Sequence, residues 1–230
     1  MCGRFTLRAP GSAIAENFGL GAAPQVAARY NIAPAQKILA VRVSEGERVA
    51  ESRVWGLVPE WAAAPTIGQR LINARAETLA AKPAFRTAFR KRRCLIPADG
   101  FYEWAPGSPD KQPHHIARED GGVFGFAGLW ASWRSETGQE LESCTIVTTE
   151  AHEALRRIHS RMPVVLKRDE YAEWLDPELC DAARLQPMLA SRGQSGWVAR
   201  AVGRRVNDVR NDDPGCLEPV PLRPQQGSLL

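Results

Sequence analysis

A strand-rich α+β domain with peripheral helices is the fold class this sequence predicts, on three observations. Short β-type runs separated by turn residues dominate the middle of the chain. Helical periodicity is confined to segments around them. Strands and helices also fail to alternate regularly, which a doubly wound parallel sheet would require. The strand runs are residues 38–43, 49–56, 93–98, 123–129 and 143–149, with turn signals at 44–46, 105–110 and 120–122. Helical patterns fall near 12–18, 78–90, 150–158, 168–174 and 180–189, where Pro177 ends the fourth and Pro187 the last. His114 and His115 lie in a further strand. Residues 208–230, rich in Pro, Asp, Gln and Gly, read as a loose tail with disordered last residues.

At 230 residues the chain can bury a sizeable core without disulfides. Its 44% hydrophobic and 24% charged residues are those of an ordinary globular protein. No apolar run is long enough to span a membrane, and Arg4, Arg8 and Glu16 interrupt any signal-like stretch, so a cytoplasmic protein is expected. The five cysteines, at 2, 94, 144, 180 and 216, are odd in number and widely spaced. That argues against a disulfide framework and against a structural metal site, and no cofactor is expected. The net charge of +4 is compatible with an anionic partner. The preponderance of Arg among the cations suits forked hydrogen bonds to phosphate, and coding bias explains it equally well.

Chemistry concentrates at the start, Met1-Cys2-Gly3-Arg4-Phe5. If Met1 is removed, by an aminopeptidase or internally, Cys2 carries an α-amine and a thiol on neighbouring carbons. Their ordinary pKa values, about 7.7–8.0 and 8.5, leave a useful fraction of each deprotonated near neutrality. A 1,2-aminothiol condenses with an aldehyde to an imine, which the thiol closes to a thiazolidine. The same terminus can instead hydrolyse amides, with the amine as base. Gly3 permits close backbone approach, and Arg4 favours the thiolate.

Further segments supply polar groups. Asn31, before Pro34 in Arg-Tyr-Asn-Ile-Ala-Pro, offers an amide to the Cys2 amine or a substrate oxygen, or forms an Asx turn. Asn73 and Arg75 share one face of an extended strand end and can reach one phosphate together, unless Arg75 pairs with Glu77. Asp99-Gly100 reads as a hairpin-like reversal. Glu103, between Tyr102 and Trp104, is either a carboxyl of raised pKa suited to proton transfer or a solvent-facing strand residue. His159 is a helix-end cap or a proton carrier, and Arg161 a phosphate contact. Trp55 and Trp61 flank a Pro-containing loop: exposed, they would stack on unpaired bases or a duplex end, although Trp55, ending a strand, suits the core. The basic run at Arg86 and 90–93 tracks a nucleic-acid backbone or is a solvated helix face.

In order along the chain, Met-Cys-Gly-Arg-Phe, Arg-Tyr-Asn-Ile-Ala-Pro, Trp-Gly-Leu-Val-Pro-Glu-Trp, Ile-Asn-Ala-Arg-Ala-Glu-Thr, Cys-Leu-Ile-Pro-Ala-Asp-Gly-Phe-Tyr-Glu-Trp, Ile-Val-Thr-Thr-Glu-Ala and Ile-His-Ser-Arg-Met-Pro-Val-Val-Leu resemble the SOS response-associated peptidase (SRAP) family. The resemblance implies a single SRAP domain over 1–211 with a barrel-like core, leaving 212–230 as tail. It implies abasic-site recognition in single-stranded DNA, or at its junctions with duplex, and a thiazolidine crosslink at Cys2. Cys2, Asn31, Glu103 and His159 would form the reaction site. Arg4, Asn73, Arg75 and Arg161 would hold the DNA backbone, and Trp55, Trp61 and Pro34 would shape the groove. A lyase-type activity, self-removal of Met1, a monomer and, in a bacterium, association with the nucleoid follow from the same likeness. The rival readings are an N-terminal nucleophile amidohydrolase, a peptidase acting in trans, and a non-covalent reader of modified bases.

Overall fold

The computed structural model of the chain describes residues 2–106, 111–190 and 196–221. Among these described residues thirteen strands carry the fold: β1 (Phe5–Leu7), β2 (Arg29–Ile32), β3 (Lys37–Ser44), β4 (Glu47–Trp55), β5 (Asn73–Arg75), β6 (Arg93–Ala98), β7 (Gly100–Ala105), β8 (Gln112–Arg118), β9 (Phe124–Arg134), β10 (Glu140–Glu150), β11 (Arg161–Pro163), β12 (Val165–Leu166) and β13 (Trp197–Ala201). Five short α-helices among the described residues lie around them: α1 (Gly11–Phe18), α2 (Arg86–Lys91), α3 (Glu153–Arg156), α4 (Tyr171–Leu175) and α5 (Ala182–Leu185). The predicted class holds.

The larger sheet closes on itself. β10 pairs with β4, β4 with β3, β3 with β6, β6 with β9, and β9 again with β10, giving a five-stranded barrel with no free edge in the ring. A second sheet, in the order β13-β8-β7-β1-β2, lies against it. The two join through aromatic edges: Phe5 packs on Trp55 (ring centroids 5.3 Å) and on Phe126 (5.9 Å), and Phe101 on Phe126 (6.1 Å). The β3–β4 hairpin turns through Glu45 and Gly46, both at positive φ (52° and 83°), the twist a two-residue hairpin demands.

Three sequence expectations change in three dimensions. The helix expected over 78–90 is realised only as α2, because Pro83 cannot donate to a helix and restricts Lys82 before it. Asp99-Gly100 is no hairpin: β6 belongs to the barrel and β7 to the second sheet, so the chain crosses between sheets at Asp99. The loose tail expected from 212 is packed as far as residue 221. The Asp212 carboxylate accepts from the main-chain N–H of Tyr30 and of Asn31 (2.8 Å) and pairs with Arg29, Cys216 is fully buried, and Pro219 bridges Val202. Aspartate and proline made this stretch look unstructured, but these polar groups are spent on specific partners. Residues 222–230, and residues 107–110 of one expected turn, lie outside the described residues. Among the described residues no helix is long and apolar enough to cross a membrane.

Candidate active site

Cys2 lies just ahead of β1, fully buried, between the second sheet and the strand end that carries Asn73. The Asn73 amide donates through Nδ2 to the Cys2 carbonyl (2.8 Å). β5 pairs in parallel with β10, placing Asn73 opposite Ile146 and Arg75 opposite Thr148, so both side chains project from one face as their spacing predicts. Asn73 Oδ1 is buried without a hydrogen-bond partner among the described residues. It is thus an acceptor available to an N–H or O–H that reaches Cys2. Burial first, then the nearby charge of Glu103, push the Cys2 thiol well above its ordinary pKa, so it is protonated at neutral pH.

Glu103 sits on β7, on the same face as Phe101, which packs against the barrel. Only 3% exposed, it is pushed up to about 7 by burial. A carboxyl at that value exchanges its proton freely at neutral pH. His159 approaches with Nε2 4.0 Å from Glu103 Oε2. Its Nδ1 faces the Arg161 N–H (3.0 Å) and the Arg161 carbonyl (3.1 Å), so the main chain serves that nitrogen whether or not it carries a proton. When it accepts from the N–H, the ring proton is on Nε2, toward Glu103. Burial pulls His159 below its ordinary value, so it is neutral at pH 7.

Cys2, Asn73, Glu103 and His159 therefore converge, and other expected members do not. Asn31 is fully buried and committed: Nδ2 donates to the carbonyls of Val206 (3.1 Å), Asp208 (3.0 Å) and Asn211 (2.7 Å), while Oδ1 accepts from Arg4 (2.9 Å). Its amide holds the C-terminal segment, which corrects the reading of Asn31 as a reaction-site residue. Arg4 also donates to the Val206 carbonyl (2.7 Å) and lies over the Trp104 ring, so its guanidinium is largely occupied within the fold. Trp55 is fully buried and donates to the Ile72 carbonyl (2.8 Å); it offers no surface to a ligand and belongs to the core. Arg161 forks onto Glu77 (3.0 Å to each oxygen) and reaches the Thr148 carbonyl (2.6 Å). Glu77 is thereby taken by Arg161, and Arg75 stays exposed beside Asn73. Trp61 is 61% exposed, held between Glu60, which pairs with Arg92, and Ala62, whose carbonyl accepts from Trp133 (2.7 Å). Pro34 is half-buried, followed by Ala35 at φ 67° in the left-handed region. Arg93, from the expected basic run, is buried and donates to the carbonyls of Trp174 (2.6 Å) and Phe89 (2.9 Å) rather than facing solvent.

Sequence reasoning passed over Asp99 and Asp212 as polar anchors. Their only sequence signal is an acidic residue placed where a strand or segment must be fixed to another. Among the described residues no cluster of His, Cys, Asp and Glu has metal-holding geometry.

Fold and site together define a barrel-cored α+β protein built around a cysteine at its second position, with an asparagine and a glutamate–histidine pair gathered on it. The model of the family "SOS response associated peptidase (SRAP)" matches residues 1–209, and the chain belongs to that family. It is 40% identical over 224 residues to abasic site processing protein YoqW of Bacillus subtilis, covering 95% of this chain and 99% of that protein. Abasic site processing protein YedK of Escherichia coli is 33% identical, over 86% of this chain and 87% of its own. Abasic site processing protein HMCES of chicken is 34% identical over 76% of this chain, which spans 59% of that longer relative. A crystal structure of a protein from Bacteroides thetaiotaomicron superposes with a TM-score of 0.86 at 25% identity, over 95% of this chain and all of that one.

Proposed function

We propose that this chain recognises abasic sites in single-stranded DNA, or at its junctions with duplex, and captures the opened sugar at Cys2 as a thiazolidine once Met1 is gone. The observation that carries this reading is a buried carboxyl, Glu103, whose proton affinity lies near neutrality beside a cysteine fixed by Asn73. The relatives named as abasic site processing proteins supply the lesion.

The chemistry balances with groups present. The Cys2 α-amine adds to the sugar aldehyde and gives a carbinolamine; protonated Glu103 donates to the departing hydroxyl, which leaves as water and yields the iminium. The Cys2 S–H then gives its proton to the Glu103 carboxylate as sulfur bonds to the imine carbon, closing the ring with loss of one water overall. A thiol kept protonated by burial suits this order, amine first and sulfur second. It disfavours a peptidase or amidohydrolase, which needs a ready thiolate, as does a His159 directed at Glu103. His159 assists opening of the cyclic sugar. Exposed Arg75 meets a phosphate, and Trp61 stacks on a base or duplex end. The product is a DNA–protein crosslink that shields the lesion.

The test compares wild type with Cys2→Ser on single-stranded DNA bearing one abasic site. Wild type is expected to give a heat-stable adduct. The serine variant keeps the amine, so it forms at most an imine that is trapped only on reduction. Equal heat-stable adduct from both would overturn the thiazolidine assignment.

A further inference from the structure

Strand β1 is the part of the fold that places Cys2, and its pairing with β7 is very short. The register consists of Phe5 opposite Phe101 and Thr6 opposite Gly100, with the Tyr102 N–H donating to the Arg4 carbonyl (2.9 Å) one step further on. On its other side β1 meets β2 through an irregular register. So few ladder bonds specify register weakly, and a slip of one residue would carry Cys2 about 3.3 Å along the strand and reverse its faces.

We propose that Asp99 is the positioning residue that locks this register and thereby sets Cys2 against Glu103; the kinetic consequence rests on the capture reading above. Asp99 is the residue at which the chain crosses from barrel to second sheet, and it is 3% exposed. Its N–H donates to the Thr6 carbonyl (2.9 Å). Its carboxylate grips the far end of β1 at several points. Oδ1 accepts from the Thr6 hydroxyl (2.6 Å) and from Arg8 Nε (3.1 Å); Oδ2 accepts from the Arg8 and Ala9 main-chain N–H groups, the latter at 3.0 Å. No other register of β1 offers these donors together.

The grip is itself braced. Thr6 donates its only hydroxyl proton to Asp99, so it accepts from His115 Nε2 (3.2 Å), which fixes that ring's tautomer. Burial holds His115 down to about 4, so the ring stays neutral and able to serve in this network. Position 100 must be glycine for the ring to reach Thr6, because a Cβ there would lie 2.1 Å from His115 Nε2. The anchor lies on the face of β7 opposite Glu103, since Gly100 and Tyr102 alternate with Phe101 and Glu103. It therefore acts through the strand and touches no reacting atom.

The experiment uses the full chain with two variants, Asp99→Asn and the shape-preserving Thr6→Val, and three readouts: melting temperature, crosslinking rate against concentration of abasic single-stranded DNA, and the carboxyl 13C titration of Glu103 without DNA. A positioning role predicts a crosslinking rate at saturating DNA reduced about tenfold or more per folded molecule in Asp99→Asn, and less in Thr6→Val. Half-saturation should stay unchanged, and the Glu103 titration should fall from near 7 toward the ordinary carboxyl range as the strand loosens. If both variants lose only melting temperature, with the saturating rate and the titration unmoved, the proposal is overturned and Asp99 is a stabiliser alone. Should Asp99→Asn fail to fold, Thr6→Val decides by the same criteria. If wild type gives no crosslink, the capture reading falls, and the Glu103 titration still decides the register claim.

Discussion

Two asparagines sit in buried polar clusters at either side of the N-terminal strand, and their difference separates structure from chemistry. Around Asn31 every amide group is committed: Arg4 on one side, three carbonyls of the C-terminal segment on the other. Around Asn73 the amide nitrogen holds the Cys2 carbonyl while Oδ1 has no partner among the described residues, and nearby stands a carboxyl raised to about 7. A saturated cluster fixes chain segments. A cluster with an open acceptor and a carboxylate destabilised by burial has the features expected of a reaction site.

Substitutions can sharpen or break that contrast. The largest effect is expected at Glu103. Glu103→Gln should slow crosslinking by about 10²–10⁴-fold, measured as the single-turnover rate at saturating DNA. It should also stabilise the protein at alkaline pH. The folded state binds this proton more tightly than the unfolded state, so the stability it contributes is complete below about pH 4.5 and lost as pH rises through about 7. The loss is on the order of 3 kcal/mol, so the glutamine variant should melt above wild type at pH 8 and converge with it near pH 5. Asn31→Ala should do the reverse: a loss of about 2–4 kcal/mol in urea unfolding, with the crosslinking rate per folded molecule nearly unchanged. A large rate loss without destabilisation would return Asn31 to the reaction site.

The tryptophans repeat the comparison on a smaller scale. Trp61→Ala should leave stability within about 0.5 kcal/mol of wild type while weakening single-stranded DNA binding by about 1–3 kcal/mol in a fluorescence titration. The smallest effect is expected at Ala35, exposed and at φ 67°: Ala35→Gly should relieve strain and stabilise by less than about 1 kcal/mol, read as a slightly higher melting temperature.

Much of the strand-rich core was legible because burial on the barrel leaves a two-residue pattern or a continuous apolar run, as in β6 and β9. Closure of the barrel is not written in any segment, since it depends on the second half of β9, from Gly128 to Arg134, meeting the first half of β10, from Glu140 to Ile146. The shared face of Asn73 and Arg75 was readable from spacing alone, as was the alternative placing of Trp55 in the core. The partners that Asn31 and Arg161 find within the fold were not legible, for a common reason. A polar side chain in a motif looks the same whether its partner is a ligand or a distant carbonyl, and only three dimensions reveal Val206, Asp208 and Asn211 behind one, and Glu77 beside the other. The packing of residues 212–221 was hidden because its anchors, Arg29 and the Tyr30 and Asn31 N–H groups, lie far back in the chain.

Covalent capture at Cys2 is tested most directly by intact mass spectrometry of the protein after incubation with single-stranded DNA carrying one abasic site. The account predicts a species equal to the chain without Met1 plus the DNA strand minus one water, mapping to Cys2 and absent from Cys2→Ala. A protein shown to lack Met1 that gains no such mass, or an adduct that persists in Cys2→Ala, would contradict it.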